Sequence, residues 1–174
     1  MPPQSALPSQ ERDLLNPPRT IRAVICYIMR GNEILLLLKA TGKFGAGFWN
    51  APGGKIKAGE CVESAARREV LEETGLSLGS LEKAGDLEFY FGPEKTRPDW
   101  TADVFVTREF SGMMRESEEG MLKWFPEDEL PFDQMWEDDR YWLPLLIRGK
   151  RFHGIFQFSS DSKVLISHNV KEEE

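Results

Sequence analysis

Cysteine is scarce in this chain: Cys26 and Cys61 are the only two among 174 residues. Two thiols build no disulfide framework, and a reducing compartment is the simpler reading. Long apolar runs are missing as well. The longest aliphatic stretch, residues 34–38 (Ile-Leu-Leu-Leu-Leu), suits a strand and is far too short to span a bilayer. There is no basic run, and the net charge is −7. So acidic a surface repels a phosphate polymer, which argues against a nucleic-acid partner, although a small anion can still bind if a metal ion neutralises both parties. The first 20 residues carry Pro2, Pro3, Pro8, Pro17 and Pro18 but no apolar signal-peptide core. Glu11 and Asp13 make them a poor mitochondrial presequence. Repeats, linkers and low-complexity blocks are also lacking. Residues 1–20 read as a flexible arm, 21–168 as one domain, and 169–174 as a solvated acidic tail.

What is present is ordinary globular material, 40% hydrophobic and 29% charged. Residues 21–29 and 33–39 are β-rich apolar runs split by Arg30, Gly31 and Asn32, which predicts a hairpin. Residues 40–60 hold six glycines and little periodicity, so they read as a long functional loop with a short strand near Trp49. A helix is predicted over 62–74 and stopped by Gly75. Strands follow at 83–91, 101–108 and 119–125. A helix over 138–149 is expected to be interrupted by Pro144, and a last hairpin joins 152–158 to 163–167. Few helices and many strands in this order make an α+β domain with a mixed sheet.

The chemistry concentrates at 54–76. Glu69, Glu72 and Glu73 stand at i, i+3 and i+4, within an arc of about 100° on one helix face. Carboxylates so close repel each other. Arg68 lies four residues before Glu72, but one guanidinium cannot neutralise three acids; a hard divalent cation can. Gly53, Gly54 and Gly59 lead into the helix with Glu60 at its threshold, a glycine-rich approach that lets backbone N–H groups near an anion, and Lys55 and Lys57 add positive charge.

Gly54, five residues, Glu60, seven residues, then Arg68-Glu69-Val70, Glu72-Glu73 and Gly75-Leu76 reproduce the Nudix box at all nine of its fixed positions. The chain therefore resembles the Nudix hydrolases, which cleave nucleoside diphosphates linked to another moiety. The resemblance implies an α/β/α sandwich around a mixed central sheet, with the box as loop–helix–loop. It implies Mg²⁺, or Mn²⁺ in its place, held by Glu69, Glu72 and Glu73 with the Gly54 carbonyl, and Arg68 orienting a glutamate. Glu119 matches in position an acid that binds metal in related enzymes. The general base stays open between Glu72, Glu73 and an acid outside the box.

Further segments bear on the leaving group. Phe-Gly-Ala-Gly-Phe-Trp-Asn at 44–50, Trp-Glu-Asp-Asp-Arg-Tyr-Trp at 136–142, Pro144-Leu145-Leu146 and Phe152-His153-Gly154 resemble the Nudix branch that hydrolyses oxidised purine nucleoside triphosphates. Trp136 could stack on a base. Asp138 and Asp139, if they share one proton, offer a donor and an acceptor to a purine edge, and the Asn50 amide offers both. Read singly, Trp136 is a core aromatic and the two aspartates are a helix N-terminus favoured by the macrodipole. The resemblance makes Asn50, Asp138 and Asp139 the hydrogen-bonding set and Trp136 and Phe44 the walls, with Phe89 and Phe91 nearby. Lys39, Gly53 and Lys55 complete the candidate substrate contacts.

The implied reaction turns a modified purine triphosphate of the 8-oxo-dGTP or 2-hydroxy-dATP type into monophosphate and pyrophosphate. The implied setting is a monomer in the cytoplasm, with the nuclear and mitochondrial pools as alternatives. A longer loop before Phe44, Val24, Pro52, Trp100 and the insertion at 93–99 depart from that branch, and they bear on which purine is preferred. The competing readings are a Nudix pyrophosphatase for ADP-ribose or a dinucleoside polyphosphate, and a nucleotide-binding module without turnover. His153, His168 and Cys61 are expected to have no part in the chemistry.

Overall fold

The computed structural model describes residues 19–93 and 95–174. The expected arm at 1–20 therefore lies outside the described residues except for its last two, of which Thr20 donates its hydroxyl to the Pro98 carbonyl at 2.7 Å.

The apolar run after Thr20 forms β1 (Ile21–Arg30), which turns through Gly31 into β2 (Glu33–Lys39). The predicted hairpin is brief: only Met29–Ile34 and Arg30–Glu33 pair. Beyond them the strands diverge. β1 pairs parallel with β7 (Trp100–Thr107) and antiparallel with β4 (Gly53–Lys55), whereas β2 pairs antiparallel with β3 (Trp49–Asn50) and β9 (Gly120–Pro126). The sheet continues from β7 through β6 (Glu82–Phe91) and β10 (Arg151–Phe158) to β11 (Leu165–Glu173), with β6 and β10 parallel. A separate short pair joins β5 (Ser77–Leu78) to β8 (Phe110–Ser111). The mixed sheet matches the expected class.

β1 shows why the domain has three layers. Val24, Cys26 and Ile28 pack on one side with Ala65, Ala66 and Val70 of α1 (Val62–Thr74). Tyr27 and Met29 pack on the other with Trp142, Leu143 and Leu146 of α2 (Asp139–Ile147). The period-2 alternation of a strand serves two cores at once, which explains its nearly unbroken hydrophobicity. Gly75, at φ 77°, closes α1 by donating to the Leu71 carbonyl, as a left-handed glycine cap does.

Two expectations need correction. Pro144 does not interrupt its helix, which runs through it to Ile147. The proline, sixth of the nine helix residues, removes a single N–H, and burial of Trp142, Leu143 and Leu146 outweighs that loss. Residues 169–173 are no tail but the second half of β11, paired with β10 up to Glu173 opposite Arg151. Their polar character reflects a solvent-facing edge strand.

Candidate active site

The site is built where β1 meets β4. Gly53 and Gly54 pair with Ile25 and Val24, which brings the glycine approach hard against the sheet and under helix α1. A Cβ on Gly53 would lie 2.2 Å from the Val24 carbonyl oxygen, and one on Gly54 would lie 2.5 Å from the carboxyl carbon of Glu69. At 53 the obstacle is backbone and only glycine fits; at 54 it is the carboxylate of Glu69, which a larger residue would displace.

Three acids of the helix face differ in environment. Glu73 is 3% exposed and accepts a hydrogen bond from the Gly53 N–H at 3.3 Å. Burial pushes its carboxyl up to about 7, with the Lys39 ammonium opposing the rise. Glu69 is tied to Arg68 at 2.6 Å, and the Glu72 side chain is 55% exposed. Glu119 joins from the turn before β9. The β2–β9 register sets Lys39 opposite Gly120, so Lys39 and Glu119 come side by side. The Lys39 ammonium lies 3.7 Å from Glu73 and 3.5 Å from Glu119, and Lys43 reaches Glu119 at 3.0 Å. The lysines hold the Glu119 carboxyl below the usual carboxylate range.

Arg68 takes a different principal partner from the one its spacing suggested. Its Nε and Nη2 donate to both oxygens of Glu60 at 2.7 and 2.9 Å, and Nη2 also to the Lys55 carbonyl. Glu72 is only a distant contact at 3.4 Å. The paired guanidinium hydrogen bonds hold Glu60 down to about 2. Glu60 is set for this by a turn in which Gly59 has φ 76° and the Lys57 N–H donates to its carboxylate. An eight-residue separation from loop to helix carries no periodic signal, so the pairing was invisible to helix spacing.

The carboxylate oxygens suit a hard cation. Among the described residues, however, no three His, Cys, Asp or Glu side chains converge as a ready-made metal cluster. Lys39 lies between Glu73 and Glu119, and Arg68 holds Glu69. Gly54, Glu69, Glu72, Glu73 and Glu119 remain the candidate donors, and their side chains form no cage among the described residues.

Beside the two glycines opens a cavity of about 310 Å³. Lys39, Lys55, Gly53, Gly54 and Glu119 line it together with Asn50, Asp138, Asp139, Trp136, Phe44, Phe89 and Phe91. Phe44 is stacked on Trp136 with ring centroids 5.4 Å apart and lies nearly parallel to Trp100 at 5.8 Å. Phe89 stacks on Phe156 and Phe91 on Phe158. Asp138 and Asp139 do begin a helix, but neither side chain caps it. Asp138 accepts instead from the Trp142 indole N–H at 2.9 Å. Both aspartates are buried, and burial raises both carboxyls. Sequence reasoning missed Lys43 and Trp142. The Asp138–Trp142 pair sits at i, i+4 on one helix, which is the signal that could have found it.

The NUDIX domain model matches residues 19–146. The chain belongs to the Nudix family. It is 42% identical over 150 residues to the oxidized purine nucleoside triphosphate hydrolase of Danio rerio, covering 86% of this chain and 94% of that protein. To the Mus musculus protein of the same name it is 40% identical over 148 residues, covering 85% and 92%. The crystal structure of a MutT protein from Bacillus halodurans superposes with a TM-score of 0.78 at 29% identity, covering 87% of this chain and 97% of the other. The chain is thus a Nudix hydrolase with the Nudix fold, and hydrolases of this family generally need a divalent metal ion. Among the described residues no helix is long and apolar enough to cross a membrane.

Proposed function

We propose that this Nudix hydrolase cuts oxidised or otherwise modified purine nucleoside triphosphates to the monophosphate and pyrophosphate, clearing them from the nucleotide pool. One observation carries the reading: Asn50, Asp138, Asp139 and Trp136 line the same cavity as Gly53 and Gly54 of the box. A base held by the first group would carry its phosphates towards the second. The activity for which the two vertebrate relatives are named supports the same substrate class.

Burial makes it costly to ionise both aspartates. The pair therefore keeps a proton, so one carboxyl donates and the other accepts. The N7/O6 edge of an 8-oxidised guanine presents a donor and an acceptor, the complementary pattern, whereas the same edge of unmodified guanine presents two acceptors. Trp136 and Phe44 supply flat apolar faces to the ring. At the other end Lys39 and Lys55 meet phosphate oxygens. Arg68, locked by Glu60, orients Glu69. Glu73, the most buried of the box acids, is the one we assign to take a proton from an attacking water. A divalent cation, Mg²⁺ or Mn²⁺, held by Glu69, Glu72, Glu73, Glu119 and the Gly54 carbonyl would neutralise charge on the triphosphate. We place the enzyme in the cytoplasm, with nuclear or mitochondrial pools as alternatives, acting as a monomer on small nucleotides and not on polymers or membranes.

The test is steady-state hydrolysis with Mg²⁺ of 8-oxo-dGTP, 2-hydroxy-dATP, O6-methyl-dGTP, dGTP and ADP-ribose, with both products quantified. A modified purine triphosphate should have the highest kcat/KM and release pyrophosphate. Preference for ADP-ribose would assign the site to another Nudix substrate. Binding without turnover would make the chain a nucleotide-binding module.

A further inference from the structure

Lys39 occupies an unusual place for a lysine that faces a nucleotide cavity. Its side chain, 17% exposed, bridges Glu73 of α1 and Glu119 before β9, two acids from separate parts of the chain. Glu73 is the more deeply buried of the two, and a buried carboxylate needs a cation beside it. Lys43 is placed differently: it reaches Glu119 alone and is 41% exposed.

We infer that Lys39 is a resident counter-ion that a divalent metal replaces, its ammonium leaving Glu73 and Glu119 as the ion binds. The inference rests on the proposed placing of the metal on these acids. Lys39 stands 3.7 and 3.5 Å from one oxygen each of two acids assigned to the ion, so a divalent cation seated on those acids would meet the repulsion of the ammonium and displace it. Lysine suits such an exchange because its charge is compact and its stem of four carbons is flexible. Lys39 also lines the cavity. Released from the acids, it stands free to meet a phosphate oxygen. Metal arrival would then transfer this cation from protein to substrate, so that an empty enzyme neither leaves Glu73 uncompensated nor presents its full charge to nucleotides.

The test uses the whole metal-free chain without nucleotide, at about pH 8.5, above the Glu73 value. Mg²⁺ affinity is measured by titration calorimetry for the native chain, Lys39→Met, Lys39→Gln and Lys43→Met. In parallel, brief acylation followed by mass spectrometry reads the reactivity of Lys39 in the native chain with and without Mg²⁺, which needs no variant to fold. Both Lys39 variants should bind Mg²⁺ about tenfold more tightly, within the usual range of coupling between competing ligands. Lys43→Met should change affinity less, and Mg²⁺ should speed Lys39 acylation several-fold. Mg²⁺ affinity unchanged or weakened in the Lys39 variants, or Lys39 acylation indifferent to Mg²⁺, would overturn the exchange while leaving the metal site in place. Failure of Mg²⁺ and Mn²⁺ to bind any of the four proteins would overturn the placing of the metal, and the exchange with it.

Discussion

Gly54 and Glu69 are in such close register that a single methyl group on the glycine would sit 2.5 Å from the carboxyl carbon of the acid. The acid is the tip of a flexible side chain, so it can swing away at small energetic cost. Gly54→Ala should therefore fold normally, with Tm within a few degrees of the native chain, and lose most of its turnover. Gly53→Ala meets the Val24 carbonyl at 2.2 Å, which is backbone and cannot yield. It should be destabilised by about 2 kcal/mol or more, in the range of strained or overpacked substitutions. Thermal melts and kcat for the two variants check this contrast.

The fork between Arg68 and Glu60 predicts an acid-limb effect. Glu60 is held at about 2, below its unfolded value. A depressed carboxyl contributes stability above the unfolded value, and that contribution is lost as pH falls towards 2. Glu60→Gln should melt lower than the native chain at pH 6, and the gap should close as pH falls from about 5 towards 2. Arg68→Lys, which cannot form the two-pronged contact, should lose turnover more than stability.

The buried aspartates predict the opposite sign. Both carboxyls are raised, by burial first and, for Asp139, also by the charge of Asp138. A raised carboxyl favours the folded state at low pH, and that advantage is lost as pH rises above the unfolded value of about 4. Asp139→Asn removes the buried acid and should make Tm less dependent on pH between 5 and 8. A native-like slope in that variant would show that the pair does not hold its proton there.

Trp136 forms a face of the cavity, stacked on Phe44. Trp136→Ala should raise KM for a modified purine triphosphate roughly 10- to 100-fold, the equivalent of about 1–3 kcal/mol of base stacking. Inorganic pyrophosphate, which lacks a base, should inhibit the variant as well as it inhibits the native enzyme.

Much of this was legible in the sequence because local rules coincide with the fold. The helix 62–74 has both a long charged run and a glycine stop, and its observed bounds agree. Nine spaced residues sufficed for the family. What the sequence concealed depends on long-range pairing. Lys39 meets Glu119 only through the β2–β9 register, and Glu60 meets Arg68 only because a turn at Gly59 folds the loop back on the helix. The polar end of β11 looked like a tail because an edge strand exposed to water carries no alternation that distinguishes it from coil. Pro144 looked like a helix break because propensity ignores the burial of its neighbours.

The central claim is that one cavity divides its labour, with base choice set by Asp138, Asp139 and Asn50 and turnover set by the box acids. The most direct measurement is the ratio of kcat/KM for 8-oxo-dGTP to that for dGTP in the native chain, Asp139→Asn and Glu73→Gln. Glu73→Gln should lower both rates by similar factors and leave the ratio near the native value. Asp139→Asn should bring the ratio towards one while dGTP turnover persists. A ratio unchanged in Asp139→Asn, or one that collapses in Glu73→Gln alone, would contradict the account.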